Sequence, residues 1–165
     1  MIYRRYVKPI LRAMFRSFGK IMRQLTGMII FVLLAAMETG DWSGIMSRYN
    51  NPSKDAISFG ITNQQASTNL LVMMVLAISI ILAALMTAMG FMRDEKWVLR
   101  TSQITGGLYV VYGLYQIYSA LVIINQNQQN AILAGIVYAV IGLAVFGLGG
   151  KFAGSPKTQV RQSPK

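Results

Sequence analysis

Only five of the 165 residues carry a carboxylate: Glu38, Asp41, Asp55, Asp94 and Glu95. The chain has no histidine and no cysteine. Without histidine the commonest general base and metal ligand is missing, and a histidine-held haem is excluded. Without cysteine there is no disulfide, thiolate nucleophile or thiolate metal site. Glu38 and Asp41 are three residues apart and share a helical face. At the end of an apolar run, such a pair reads as interfacial solvation, not as an acid–base couple. Gly147, Gly149 and Gly150 lack the strand and helix context of a phosphate-cradling loop. No enzyme, cofactor or metal site is therefore expected. Each carboxylate stands beside or beyond an apolar run, which disfavours a proton relay or a cation-coupled transporter.

The remaining polar chemistry lies between Gln103 and Ile124. Gln103, Gly106, Gly113 and Gln116 form one helical stripe, and Tyr109, Tyr112, Tyr115 and Tyr118 recur every third residue. A glutamine in hydrocarbon needs a partner, so Gln116 is expected to bond another helix or a tyrosine hydroxyl. Ser79, Ala83 and Thr87 are spaced by four, as are Ala131, Gly135 and Ala139. Together with Gly106 and Gly113 they are candidate helix-packing positions, because small residues let helix backbones approach in lipid.

These residues must be positioned by membrane helices. Hydrophobic side chains make up 54% of the chain and charged ones 13%, about half the usual charged share of a soluble domain. Leu70 to Met92 is 23 residues without a charge, and Gln103–Ile124 and Ala131–Gly150 are also uncharged. Each reaches the roughly 18-residue length of a spanning helix. Between Arg23 and Glu38 only 14 uncharged residues occur. That run spans if Lys20 and Arg23 snorkel and the helix continues past Glu38 towards Trp42.

Charge asymmetry selects the four-span count. The net charge is +11. Seven basic residues precede residue 25, three lie in the 93–102 loop and four follow Gly150, which leaves Arg48 and Lys54 on the other side. Four spans put the large group on one face, which the positive-inside rule assigns to the cytoplasm, with both termini there. The fold expected is all-α: a polytopic bundle of four transmembrane helices at about 25–45, 70–92, 103–124 and 131–150.

Residues 1–24 are expected to form a separate amphipathic helix at the interface. Ile2, Tyr6, Ile10, Met14, Phe18, Ile21 and Leu25 make one face, and the basic residues the other. Arg4, Arg5, Lys8, Arg12, Arg16, Lys20 and Arg23 are the candidate membrane-surface residues, facing anionic headgroups. Nucleic acid is not expected as a partner. In the 38–69 segment, Trp42, Ile45, Met46 and Tyr49 suggest a short helix on the outer interface, ended by the Asn50-Asn51-Pro52 turn. NQNQQN at 125–130 suits an outer hairpin, and 151–165 reads as a disordered basic tail.

The function expected is that of a non-enzymatic structural or assembly subunit of a larger membrane complex, in a bacterial inner membrane. Its partners would be lipid and other subunits or copies of itself. The order of elements (basic leader, short apolar run, two apolar helices joined by a charged loop) is similar to that of conjugative pilin precursors. By that architectural resemblance a conjugation or type IV secretion component is the alternative. A pore former such as a holin, or a small transporter, is a further one.

Overall fold

The computed structural model describes residues 8–92 and 95–153, and these form five α-helices: α1 (Lys8–Tyr49), α2 (Ser53–Phe59), α3 (Asn63–Gly90), α4 (Glu95–Val122) and α5 (Gln128–Ala153). Arg4, Arg5 and the tail from residue 154 lie outside the described residues, as do the side chains of Lys8, Arg12 and Arg16.

The four long helices alternate in direction, each packing on the next, while α1 and α5 meet only marginally. Pairings along the seams fix the antiparallel register. Phe31 and Ala35 of α1 pack with Ala84 and Ala88 of α3, and Ile45 packs with Leu70 and Ala77. Ile80 of α3 meets Tyr109 and Tyr112 of α4. Glycines close the α4–α5 seam. A Cβ on Gly142 would stand 2.7 Å from the Gly106 carbonyl oxygen, and one on Gly135 2.6 Å from that of Gly113. Only hydrogen at these positions permits such backbone contact.

The outer faces of the bundle are apolar, and its interior holds polar groups among apolar ones. Val32, Leu33, Leu82, Leu114, Leu133 and Leu143 are exposed, whereas Glu38, Asn69, Thr87, Thr105, Gln116 and Ser119 are buried. Water would reverse that arrangement; hydrocarbon favours it, because lipid tails accept the apolar faces and helix–helix contacts satisfy the polar groups. Among the described residues, three helical segments are long and apolar enough to cross a membrane: Ser17–Tyr49, Asn63–Gly90 and Gln128–Gly149. They support a membrane-embedded protein.

The distribution of spans differs from the sequence expectation. The region that looked short, after Arg23, belongs to a qualifying helix, because α1 continues without a break to Tyr49. Conversely α4, which covers most of Gln103–Ile124, has the length but is not among the three. Its Thr101, Ser102, Thr105, Gln116 and Ser119 turn inward, so the polar content that lowers its hydropathy sits in the interior.

Two further expectations are corrected. Trp42, Ile45, Met46 and Tyr49 are not a separate surface helix; they continue α1, with Ile45 buried against α3 and Trp42 packed beside it. Nor does the chain break near residue 24: Lys8–Tyr49 is one helix of 42 residues, about 63 Å long. Beyond Tyr49, α2 ends at Gly60, whose φ of 65° is left-handed. Thr62 then caps α3 through a reciprocal box with Gln65. The amides of Asn125 and Gln126 donate to the Phe59 carbonyl, tying the α4–α5 loop to α2.

Candidate functional site

The α2 end of the bundle contains a cavity of about 530 Å³. It lies where α1 and α5 fail to close on each other, roofed by α2 and the start of α3. Its volume falls within the roughly 300–1,000 Å³ of small-molecule pockets. Phe59, Ile45, Leu70 and Met73 give it apolar walls; Asp41, Asn69, Gln116 and Ser119 give it polar ones.

Local sequence explains how these groups converge. On α1 the buried face runs Gly27, Phe31, Ala35, Glu38 and Ile45, steps of three, four and seven that keep one stripe against the bundle. Glu38 lies on that stripe, with Asp41 one turn further along. On α4, Tyr109, Tyr112, Gln116 and Ser119 follow the same periodicity inward. Tyr138 of α5 completes the group from the third side.

Hydrogen bonds tie these elements together. The Tyr138 hydroxyl donates to Asp41 Oδ2, bridging α5 to α1 across the gap. The Tyr109 hydroxyl bonds Glu38, and that of Tyr112 bonds Gln116. Asn69 Oδ1 accepts from both Tyr115, at 2.8 Å, and Ser119, at 2.9 Å. The rings interlock as well. Tyr138 stacks beside Tyr109 with centroids 6.1 Å apart, and meets Tyr112 edge-on at 4.7 Å and 79°. At the rim, Arg48 pairs with the mostly buried Asp55 at 3.5 Å.

Glu38 is the exceptional group. It is 3% exposed, and its Oε2 has no hydrogen-bond partner among the described residues. Sequence reasoning set it near a membrane boundary because it ends a short apolar run. Its contact with Tyr109, at the middle of α4, instead puts it halfway along the bundle. Glu38 therefore does not stand beside or beyond an apolar run as the other carboxylates are expected to. Deeper still, Thr87 and Thr105 face each other with oxygens 3.1 Å apart.

The packing positions named from sequence are distributed as follows. Gly106 and Gly113 of α4 face Gly142 and Gly135 of α5, and Ala139 also lies against Gly113. Thr87 meets α4 through Thr105, and Ala83 is buried. Ser79 is half-buried and donates to the Val75 carbonyl in its own helix. Ala131 lines the cavity, and Gln116 is buried beside it. Lys20 and Arg23 are exposed on α1.

Sequence reasoning did not single out Asn69, Tyr138 or Ser119. Asn69 adjoins the apolar run that begins at Leu70, and Tyr138 is the only tyrosine in α5. A lone hydrogen-bonding side chain within or beside a spanning segment is the signal that could have found them. Comparison of the chain with protein-family models, with curated proteins and with solved structures gives no match.

Proposed function

We propose that this chain is a non-enzymatic, four-span protein of a bacterial inner membrane, with both ends in the cytoplasm, that takes a cation into the cavity from the opposite face. One observation carries the reading: Glu38 is buried at mid-bundle with an unpartnered oxygen, one turn from the cavity-lining Asp41. An ionisable group at such depth costs several kcal/mol in desolvation, and in membrane proteins it marks a ligand or ion pathway. A bundle serving packing alone gains more from a leucine at that position. The four-span count rests on the basic residues, which four crossings gather on one face. In that arrangement α4 crosses with its polar side turned to the interior.

Membership of a larger membrane assembly is favoured by a separate feature. Phe91, just after α3, packs at Gly27, so α1 residues 8–26 extend about 28 Å beyond α3. Phe18, Ile21, Met22 and Leu25 form an exposed apolar stripe there, with Lys20 and Arg23 also exposed. Such an arm suits anionic headgroups or the helix of another subunit.

The test uses the absence of native cysteine. Gly44 lines the cavity, and a Cβ there meets nothing within 4 Å. In spheroplasts, Gly44→Cys is expected to react with membrane-impermeant methanethiosulfonates. The trimethylammonium reagent should exceed the sulfonate reagent by more than their ratio on a free thiol. Adding Glu38→Gln or Asp41→Asn should shrink that excess, while Ser17→Cys should react only in inverted vesicles. A charge preference equal to that of a free thiol, or one insensitive to Glu38→Gln, would overturn the cation reading. Labelling of Ser17→Cys from outside would overturn the topology.

A further inference from the structure

We propose that the cavity binds a small organic ammonium, its charged head beside Asp41 and against the Tyr138 ring. The inference rests on the reading above, that the cavity takes a cation, and names the chemistry of that cation.

Charge comes first. Of the cavity's two carboxylates, Asp55 already has Arg48 at 3.5 Å. Asp41 is bonded by Tyr138, a neutral hydroxyl, which leaves its negative charge without a counter-ion in that contact. Glu38, one turn deeper, adds a second carboxyl whose Oε2 lacks a hydrogen-bond partner among the described residues. A cationic head beside Asp41 answers both, through a direct pair and through the field of the deeper group.

Shape and surface then select among cations. A bare ion fills little of about 530 Å³. Among the described residues no group of three or more acidic side chains stands ready to hold a metal. Instead, the half-buried Tyr138 ring lines the cavity beside Asp41, backed at 4.7 Å and 79° by the fully buried Tyr112. Cations are attracted to ring faces within about 6 Å of the centroid, and aromatic cages bind quaternary ammonium in this way. Phe59, Ile45, Leu70 and Met73 offer apolar contact to the rest of the molecule. Strongly hydrated inorganic ions gain nothing from such walls; an alkyl or aryl ammonium does.

The experiment is protection of Gly44→Cys from the neutral reagent N-ethylmaleimide, in the full-length protein reconstituted into nanodiscs. The probe is benzyltrimethylammonium, and the comparators are benzoate, benzyl alcohol and sodium ion. Half-protection by the probe is expected at about a tenfold lower concentration than by any comparator, as one good cation–π and ion-pair contribution implies. Asp41→Asn should raise that concentration about tenfold. Ala134→Phe, which fills the cavity without touching a charge, should abolish protection. The unprotected labelling rate of each variant reports whether its cavity is intact. Equal protection by sodium ion or benzoate would overturn the proposal, as would protection indifferent to both variants. If Gly44→Cys keeps its Glu38-dependent preference for cationic reagents but benzyltrimethylammonium does not protect, the cation is inorganic and only this inference falls. If that preference is absent, the underlying reading falls with it.

Discussion

Replacing Gly142 by alanine should separate α4 from α5, and the structure sets the size of the effect. The new Cβ would meet the Gly106 carbonyl oxygen, the Val110 amide nitrogen and Val110 Cγ2, each at 2.7 Å. Ordinary carbon contacts begin near 3.4 Å. Two of the three obstacles are backbone atoms, which no rotamer change removes. The helices must therefore part by about 0.7 Å, a gap that forfeits a quarter to a half of the dispersion attraction along the seam. Overpacking of this kind costs about 1–3 kcal/mol, roughly a 5- to 140-fold change in the folding equilibrium. Gly147→Ala on the same helix is the internal control, since a Cβ there meets nothing within 4 Å. Its higher helix propensity should leave stability unchanged or raise it by up to about 1 kcal/mol. Reversible unfolding of the purified protein in mixed micelles, titrated with sodium dodecyl sulfate and followed by circular dichroism, measures both. Similar free energies for the two variants would refute the close α4–α5 seam, and so would a neutral Gly142→Ala.

Three further outcomes follow from the interior hydrogen bonds and the α2 turn. Thr87 and Thr105 each lie 2.8 Å from a carbonyl of their own helix and 3.1 Å from each other, so the interhelical bond forms when one hydroxyl turns its proton from its own carbonyl to the other oxygen. A Thr87→Val/Thr105→Val double-mutant cycle should give a coupling of about 0.6 kcal/mol, and no more than about 1.7; zero coupling would contradict the pairing. Asn69→Ala strands the Tyr115 and Ser119 hydroxyls together and should cost about 1–3 kcal/mol, more than the roughly 0.5–1.5 of Tyr115→Phe; the reverse ranking in the same titration counts against the cluster. Gly60→Ala forces a left-handed φ of 65° on a residue with a Cβ, 3.2 Å from Gln126 Cγ, at about 1–2 kcal/mol. Hydrogen exchange at the Asn125 and Gln126 amides, which donate to Phe59, should accelerate with it; unchanged exchange would mean the loop is not anchored there.

The order of amino acids alone points to hydrocarbon as the solvent and to helices as the class. Long uncharged runs from Leu70 and Ala131 fit membrane-crossing helices, because backbone polar groups in hydrocarbon must bond within their own helix. It also marked Gly106, Gly113 and Gly135 as small positions, since a missing side chain is visible without coordinates. Glu38 was different. Its charge placed it at the end of a 14-residue apolar run, and nothing local shows that α1 continues through it to Tyr49 or that Tyr109 waits at the same depth. Asn69 and Tyr115 lie 46 residues apart, and Asp41 and Tyr138 97 apart. Helix periodicity reaches only neighbours within a turn or two, so it can say which face a residue occupies but not which helix meets that face. Only the antiparallel packing of α1, α3, α4 and α5 decided that separate polar residues, each ordinary in its own segment, would share one interior.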